Sequence, residues 1–358
     1  MSDPVGVLQT RFTRLVGCRL PVVQTGMGWV SGASLTAATS AAGGFGILAA
    51  VTMTPEQLRD AVRGVKERTD APFGVNFRAD QPDLDERVAF VVAEGVRLVS
   101  FAGAPSPAAV ARCHDAGVLV MPTVGARRHA EKVLEIGVDA VIAQGGEGGG
   151  HTGTVPTSLL LPQVVDAVGD AVPVLAAGGF FDGRGLVAAL AYGADGIAMG
   201  TRFLLTRESR VPEQVKARYT AATVFDTVVT TALDGAPQRV IRTEVVDRIE
   251  GAPRLLRFPR AALAALRFRR VTGTPLRDLV REGLAMRRNQ GLTWAQVALA
   301  ANAPMLVRAT MVEGRPEVGV LPTGQVTGVI DELPSVAELL ARIEREAGDA
   351  LARLGGGR

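Results

Sequence analysis

Lysine is nearly missing from this chain of 358 residues: Lys66, Lys132 and Lys216 are the only three, and arginine carries the rest of the basic charge. With alanine, glycine and valine abundant, that skew reads as the coding bias of a GC-rich genome rather than a selected arginine surface. The 39 basic side chains exceed the 36 acidic ones by +3. So small an excess predicts neither a nucleic-acid nor a membrane partner. Cysteine is reduced to Cys18 and Cys113, far apart and in no metal-ligand spacing, so a reducing compartment, no disulfide and no metal are expected. No apolar run reaches the roughly 18–20 residues of a membrane span. The N-terminus lacks the succession of basic, apolar and small residues of a signal peptide. A cytoplasmic protein is the expectation. Histidine is scarce as well, confined to His114, His129 and His151.

What the chain does contain is rhythm. From Pro21 to Thr206, short β-branched runs alternate with longer helical stretches, the signature of βα units. Eight strands are predicted: Pro21–Gln24, Gly46–Ala49, Phe73–Phe77, Leu98–Phe101, Val118–Pro122, Ala140–Gln144, Val172–Ala176 and Gly196–Met199. Between them lie helical segments such as Thr54–Arg68, opened by a Thr-Pro pair suited to a helix start, and Leu84–Glu94. Eight successive units point to an α/β fold, a (β/α)8 TIM barrel, rather than an open doubly wound sheet. The glycines near the first two strands do not follow dinucleotide spacing, and no acidic residue ends the second strand. The expected organisation is a barrel over residues 11–206 and a mainly helical insertion over 207–318, packed as a lid on the barrel mouth. A return segment and final helix over 319–351 would complete the barrel domain.

The densest chemical signal is Gln144-Gly-Gly-Glu-Gly-Gly-Gly-His-Thr-Gly153, which follows the apolar run Val138–Ala143. Glycine lets backbone approach a ligand closely, and histidine suits proton transfer near neutral pH. His151 is therefore the candidate catalytic residue, as base or as polariser of a carbonyl. His114 and His129 fall on outer helices and read as surface residues; Glu147 reads as a turn former. Ala176-Ala-Gly-Gly179 and Ala198-Met-Gly-Thr201 end the last two strands, where barrels commonly build a phosphate site from backbone N–H groups. Asn76 and Gln144 end the third and sixth strands, where a planar heterocycle would need amide partners. One phosphate with amides along the mouth suits flavin mononucleotide.

Pro21-Val-Val-Gln-Thr-Gly-Met-Gly28, Gly74-Val-Asn-Phe77, the glycine-histidine loop, Ala177-Gly-Gly179 and Met199-Gly-Thr201 together resemble the nitronate monooxygenase (2-nitropropane dioxygenase) family of FMN barrels. The resemblance spans Arg11 to Leu340. Gln24-Thr-Gly-Met-Gly-Trp29, Gly178-Gly-Phe-Phe-Asp-Gly-Arg-Gly185, Asp226-Thr-Val-Val-Thr-Thr231 and Leu292-Thr-Trp-Ala-Gln296 are most similar to an actinobacterial branch, the CoA-thioester dehydrogenases of steroid C/D-ring breakdown. Nitronate oxidases of the family commonly carry Ala-Pro-Met after the first strand and alanine in the glycine-histidine loop. Here Thr25-Gly26-Met27 and Gly148 stand instead, a departure that bears on the substrate rather than on the flavin. The resemblance implies FMN contacts at Gly26, Asn76, Gln144, Gly149, Gly178, Gly179, Gly200 and Thr201, with His151 as base. It also implies a cyclic CoA thioester as substrate and NAD as co-substrate; the alternative is oxidation of alkyl nitronates by O2. A homodimer is a further expectation, independent of the resemblance. Between Arg254 and Arg288 ten arginines face only Asp278 and Glu282. Arginine's planar fork suits phosphate, so Arg267 and Arg270 are candidates for holding the CoA phosphates, the other reading being a solvated helical face.

Overall fold

A computed structural model of the chain describes residues 4–251 and 294–355. Arg267 and Arg270 lie outside the described residues. Eight parallel strands close into a barrel: β1 (Val22–Gln24), β2 (Phe45–Ala49), β3 (Gly74–Arg78), β4 (Leu98–Ala102), β5 (Leu119–Val124), β6 (Val141–Gln144), β8 (Val174–Ala177) and β9 (Gly196–Met199). Strand β7 (Gly150–His151) lies outside the barrel, in the loop that follows β6. The last barrel strand pairs with the first through Val23 and Ala198, so the sheet has no free edge. The barrel strands are runs of mostly buried residues because helices cover their outer side and facing strands fill their inner one; Arg78, Ala102 and Gln144, at C-terminal ends, are among the exceptions.

Alternation along the strands divides those residues into two cores. Outward-facing Val22, Leu48, Val75, Phe77, Val99, Phe101 and Val141 pack against the surrounding helices. Inward-facing Val23, Ile47, Leu98, Met121, Ile142, Leu175 and Ala198 fill the barrel lumen. The lumen is plugged from its N-terminal end by α2 (Arg11–Val16), which follows α1 (Pro4–Val7) and buries Phe12 and Val16 in the same cluster. Phe12 meets the ring of Phe45 edge-on at 6.0 Å. Arg11 anchors the plug to Asp195, at the foot of β9, with its Nε 3.0 Å from Oδ1 and a second nitrogen 2.7 Å from Oδ2. Such edge-on aromatic contacts and bidentate pairs fix orientation as well as energy.

The surrounding helices run α3 (Ala33–Ala41), α4 (Pro55–Lys66), α5 (Leu84–Ala93), α6 (Pro107–Asp115), α7 (Arg127–Glu135), α8 (Thr157–Val168) and α9 (Gly183–Ala191). Helix α4 begins at a reciprocal capping box between Thr54 and Gln57, with Pro55 in its first turn, the arrangement that satisfies two orphan amides at once. After β9 come α10 (Thr201–Leu204), α11 (Glu213–Thr220), β10 (Thr227–Thr230), β11 (Gln238–Ile241), α12 (Glu244–Glu250) and α13 (Trp294–Met311). The long C-terminal helix α14 (Val336–Leu354), capped by Ser335 and Glu338, packs against α9 and α3 and takes the eighth place in the outer ring. Among the described residues no helix is long and apolar enough to cross a membrane.

Candidate active site

The inward positions change character at the C-terminal ends of the strands. Thr25, Asn76, Ser100, Thr123 and Gln144 succeed the apolar lumen residues by strand alternation, in a register that runs Asn76 beside Ser100 and Gln144 beside Ala177. The bottom of the barrel is thus sealed by hydrocarbon and its mouth is lined with hydroxyls and amides. Asn76 donates from Nδ2 to the Ser100 hydroxyl at 3.1 Å. Gln144 donates from Nε2 to the His151 carbonyl at 2.7 Å. Among the described residues no protein donor reaches Asn76 Oδ1 or Gln144 Oε1. Each amide is fixed by its own protein contact and keeps an acceptor for a ligand N–H.

Two further strand ends meet this mouth, after β8 beside Gln144 and after β9. Gly178 and Gly179, after β8, adopt φ +92° and +89°, a conformation that side chains resist. Gly200 and Thr201 follow β9, where Thr201 opens α10. Among the described residues no backbone carbonyl accepts from the N–H of Gly178, Gly179, Gly200 or Thr201. Of the four residues only Thr201 is buried, Gly178 and Gly200 being half-buried and Gly179 exposed, so these amides are open to a ligand at the barrel mouth. The Thr201 hydroxyl accepts from Gly324 N–H at 2.8 Å and keeps its own proton to donate.

The glycine-histidine loop is held from three directions. Glu147 turns inward, and its carboxylate accepts from the Thr157 amide at 2.9 Å and the Thr157 hydroxyl at 2.7 Å. That is helix capping at the start of α8, in keeping with a structural rather than an acidic role. The Glu147 carbonyl accepts from Gln325 N–H at 2.9 Å. A Cβ on Gly149 would come within 2.4 Å of the Gly324 nitrogen, so the returning segment presses directly on the loop. From the third side, β11 pairs antiparallel with β7, setting Gln238 opposite His151 and Arg239 opposite Gly150. Arg239 reaches across to the Gly146 carbonyl at 2.8 Å and the Thr227 hydroxyl at 3.0 Å. Burial holds its guanidinium below the ordinary arginine value, against the opposing pull of Glu147.

This register gives His151 a partner that sequence reading did not find. His151 Nε2 lies 2.7 Å from Oδ2 of Asp234, in the turn between β10 and β11. The His151 side chain is 67% exposed and that of Asp234 11%, so the carboxylate sits beneath and the imidazole above it. Burial alone would raise the Asp234 carboxyl. The His151 hydrogen bond and charge, with the Ala236 amide and the Gln238 side chain, outweigh it and hold the group below the usual aspartate range. The clue available in sequence was the Asp234-Gly235 turn between two β-prone runs, a common hairpin pattern. His114 and His129 lie on α6 and α7, both exposed, with His114 paired to Asp139 at 2.9 Å.

Around the rim, Trp29 follows β1 with φ +66°, an uncommon conformation outside glycine. The Arg308 guanidinium of α13 sits 5.4 Å from its ring centroid, within cation–π range. Burial pushes the Cys18 thiol up to about 12 and the Cys113 thiol up to about 11, so neither offers a thiolate at neutral pH. Among the described residues no group of three or more His, Cys, Asp or Glu could hold a metal ion.

The fold is a closed parallel (β/α)8 barrel with glycine-rich loops after its last two strands, amides at its mouth and a carboxylate-backed histidine, and its family and relatives make it a flavin-type oxidoreductase. The chain belongs to the nitronate monooxygenase family, whose profile matches residues 9–346. It is 55% identical over 341 residues to the (3aS,4S,5R,7aS)-5-hydroxy-7a-methyl-1-oxo-octahydro-1H-indene-4-carboxyl-CoA dehydrogenase of Mycobacterium tuberculosis, covering 95% of this chain and 96% of the relative. Its identity to the Rhodococcus jostii protein of the same name is 51% over 343 residues, with 96% and 97% covered. Among solved structures, FabK from Thermotoga maritima superposes with a TM-score of 0.78 at 34% identity, covering 97% of this chain and 99% of that one.

Proposed function

We propose that this chain is an FMN-dependent dehydrogenase that introduces an α,β double bond into a bicyclic, steroid C/D-ring-derived acyl-CoA, with NAD+ as the terminal acceptor. The observation that carries the reading is its near full-length identity of 55% and 51% to two dehydrogenases named for one indene-carboxyl-CoA substrate. The site is consistent with it. Gly178, Gly179, Gly200 and Thr201 would hold the FMN phosphate through backbone N–H groups, with Gly26, Asn76, Gln144 and Gly149 along the rest of the cofactor. When bound, FMN supplies a two-electron acceptor for the β-hydrogen and its electron pair.

The chain's own residues supply the proton chemistry. A thioester carbonyl acidifies the neighbouring α-carbon, and His151 takes that proton. The β10–β11 hairpin and the returning segment brace the loop on which His151 stands, and holding reacting groups in place lowers the barrier without further chemistry. Oxidation of an alkyl nitronate by O2, the activity in the family's name, would use the same histidine to deprotonate the neutral nitroalkane to the nitronate.

Turnover of a bicyclic carboxyl-CoA compared with an alkyl nitronate decides between the two, and faster nitronate turnover would reject the dehydrogenase reading. The purified protein is expected to be yellow and to release FMN on denaturation. His151→Ala should retain FMN, because the phosphate cradle lies on other strands, while turnover falls by about 10²–10⁴-fold as for loss of a general base. Near-normal turnover would move the proton transfer to another group.

A further inference from the structure

We infer that Asp234 is the positioning residue for His151, and that it makes Nδ1 of the imidazole the atom that takes the substrate proton. The inference rests on the dehydrogenase reading of this site and adds to it which nitrogen reacts and what selects it. A neutral imidazole carries one N–H, and whichever nitrogen holds it cannot act as base. Asp234 Oδ2 lies 2.7 Å from Nε2, and its carboxyl is held below the ordinary aspartate value despite burial. An ionised carboxylate can only accept, so Nε2 carries the hydrogen and Nδ1 the lone pair; the Gln238 amide nitrogen, 3.3 Å from the same Nε2, directs its proton to the nearer Asp234 Oδ2 instead. Among the described residues Nδ1 has no hydrogen-bond partner, and the side chain is largely exposed at the mouth.

Asp234 is itself fixed. Its Oδ1 accepts from the Ala236 amide at 3.0 Å, and Gln238 donates from Nε2 to its Oδ2. Gln238 is only 4% exposed and stands opposite His151 in the β11–β7 register. Turn, strand and loop thus converge on a single ring nitrogen. In the forward step the α-carbon loses its proton to Nδ1, and the electron pair of that C–H bond becomes the new C=C bond. With FMN bound as the two-electron acceptor, the β-hydrogen would leave with its own pair, so that the products would be an enoyl thioester, the reduced cofactor and an imidazolium paired with Asp234. The imidazolium then returns its proton to solvent. A carboxylate beneath the ring stabilises that imidazolium without accepting its proton, as in other histidine–carboxylate pairs.

The test is nitrogen-15 NMR of histidine-labelled holoenzyme. Only three histidines are present, and single variants assign them. The wild-type His151 ring should be the Nε2–H tautomer. Asp234→Asn keeps an oxygen for the Ala236 amide but cannot hold Nε2–H as a carboxylate does, so the fixed tautomer should be lost. Its kcat should fall by about 10²-fold, with KM for the CoA thioester unchanged within about twofold, the pattern of a lost transition-state interaction. Asp234→Glu, which restores the carboxylate, should recover part of both the tautomer and kcat. In a His151→Ala background, Asp234→Asn should change the residual rate less than about twofold, since coupled residues are not additive. FMN content of each variant confirms the fold. An Nδ1–H tautomer in the wild type would overturn the inference, as would normal kcat in Asp234→Asn beside an inactive His151→Ala. Normal turnover in His151→Ala would instead overturn the underlying assignment of the base, whatever the tautomer.

Discussion

At Gly148 a single methyl group decides where Gln144 can lie. A Cβ there would stand 2.7 Å from Gln144 Nε2 and 3.1 Å from its Cγ, so the amide that reaches the His151 carbonyl depends on the missing side chain. Gly148→Ala must push Gln144 aside or lift the loop. Overpacking of this kind costs about 1–3 kcal/mol, and Gly148→Ala is expected to lower the melting temperature in calorimetry while FMN stays bound. An unchanged melting temperature would mean that Gln144 can leave its position without being missed. Gln144 and Asn76 stood out in the sequence because they close apolar runs, and His151 because it ends a run of glycines, in a fold whose strand ends carry function. Asp234 did not. An Asp-Gly pair looks the same in any hairpin, and its placement under a histidine 83 positions away follows from the β11–β7 register, which arises only when the chain folds.

At the scale of elements, all eight barrel strands fall within two residues of their expected limits. They were readable because parallel strands buried on both sides are continuous apolar runs between turn signals. Strand β7 was not, since two residues made of Gly150 and His151 carry no β pattern of their own. The role of α2 was equally hidden: six residues reveal an apolar face but not that it seals a lumen. Phe12 is fully buried there, on the face opposite the site. Phe12→Ala is expected to cost about 3–5 kcal/mol and to lower the melting temperature, while FMN affinity in the folded protein stays within a few-fold. In a barrel the N-terminal face serves stability and the C-terminal face serves function. Calorimetry beside flavin titration separates the two, and a large loss of FMN affinity with unchanged stability would reverse that assignment for α2.

At the scale of the whole molecule, the chain leaves the barrel after β9 and comes back across its mouth. Leu321 and Thr323 flank β11 through backbone hydrogen bonds, and Gly324 and Gln325 meet Thr201 and Glu147. What lies between includes Arg267 and Arg270, outside the described residues but inside the run of ten arginines. A CoA thioester carries several negative charges far from its reacting carbon, and binding energy from such remote groups helps place the reacting end. A small nitronate has nothing that could reach them. Replacing Arg267 and Arg270 together with glutamine is therefore expected to raise KM for the CoA thioester by about 10-fold, as for loss of one or two charge-assisted contacts. Any nitronate turnover should be unaffected. The difference from wild type should narrow as salt rises, because exposed charges are screened within about 8 Å at physiological ionic strength. Equal losses on both substrates would point to a damaged fold. An unchanged KM for the thioester would assign the arginines to a solvated face, and the CoA reading would then stand on its relatives alone.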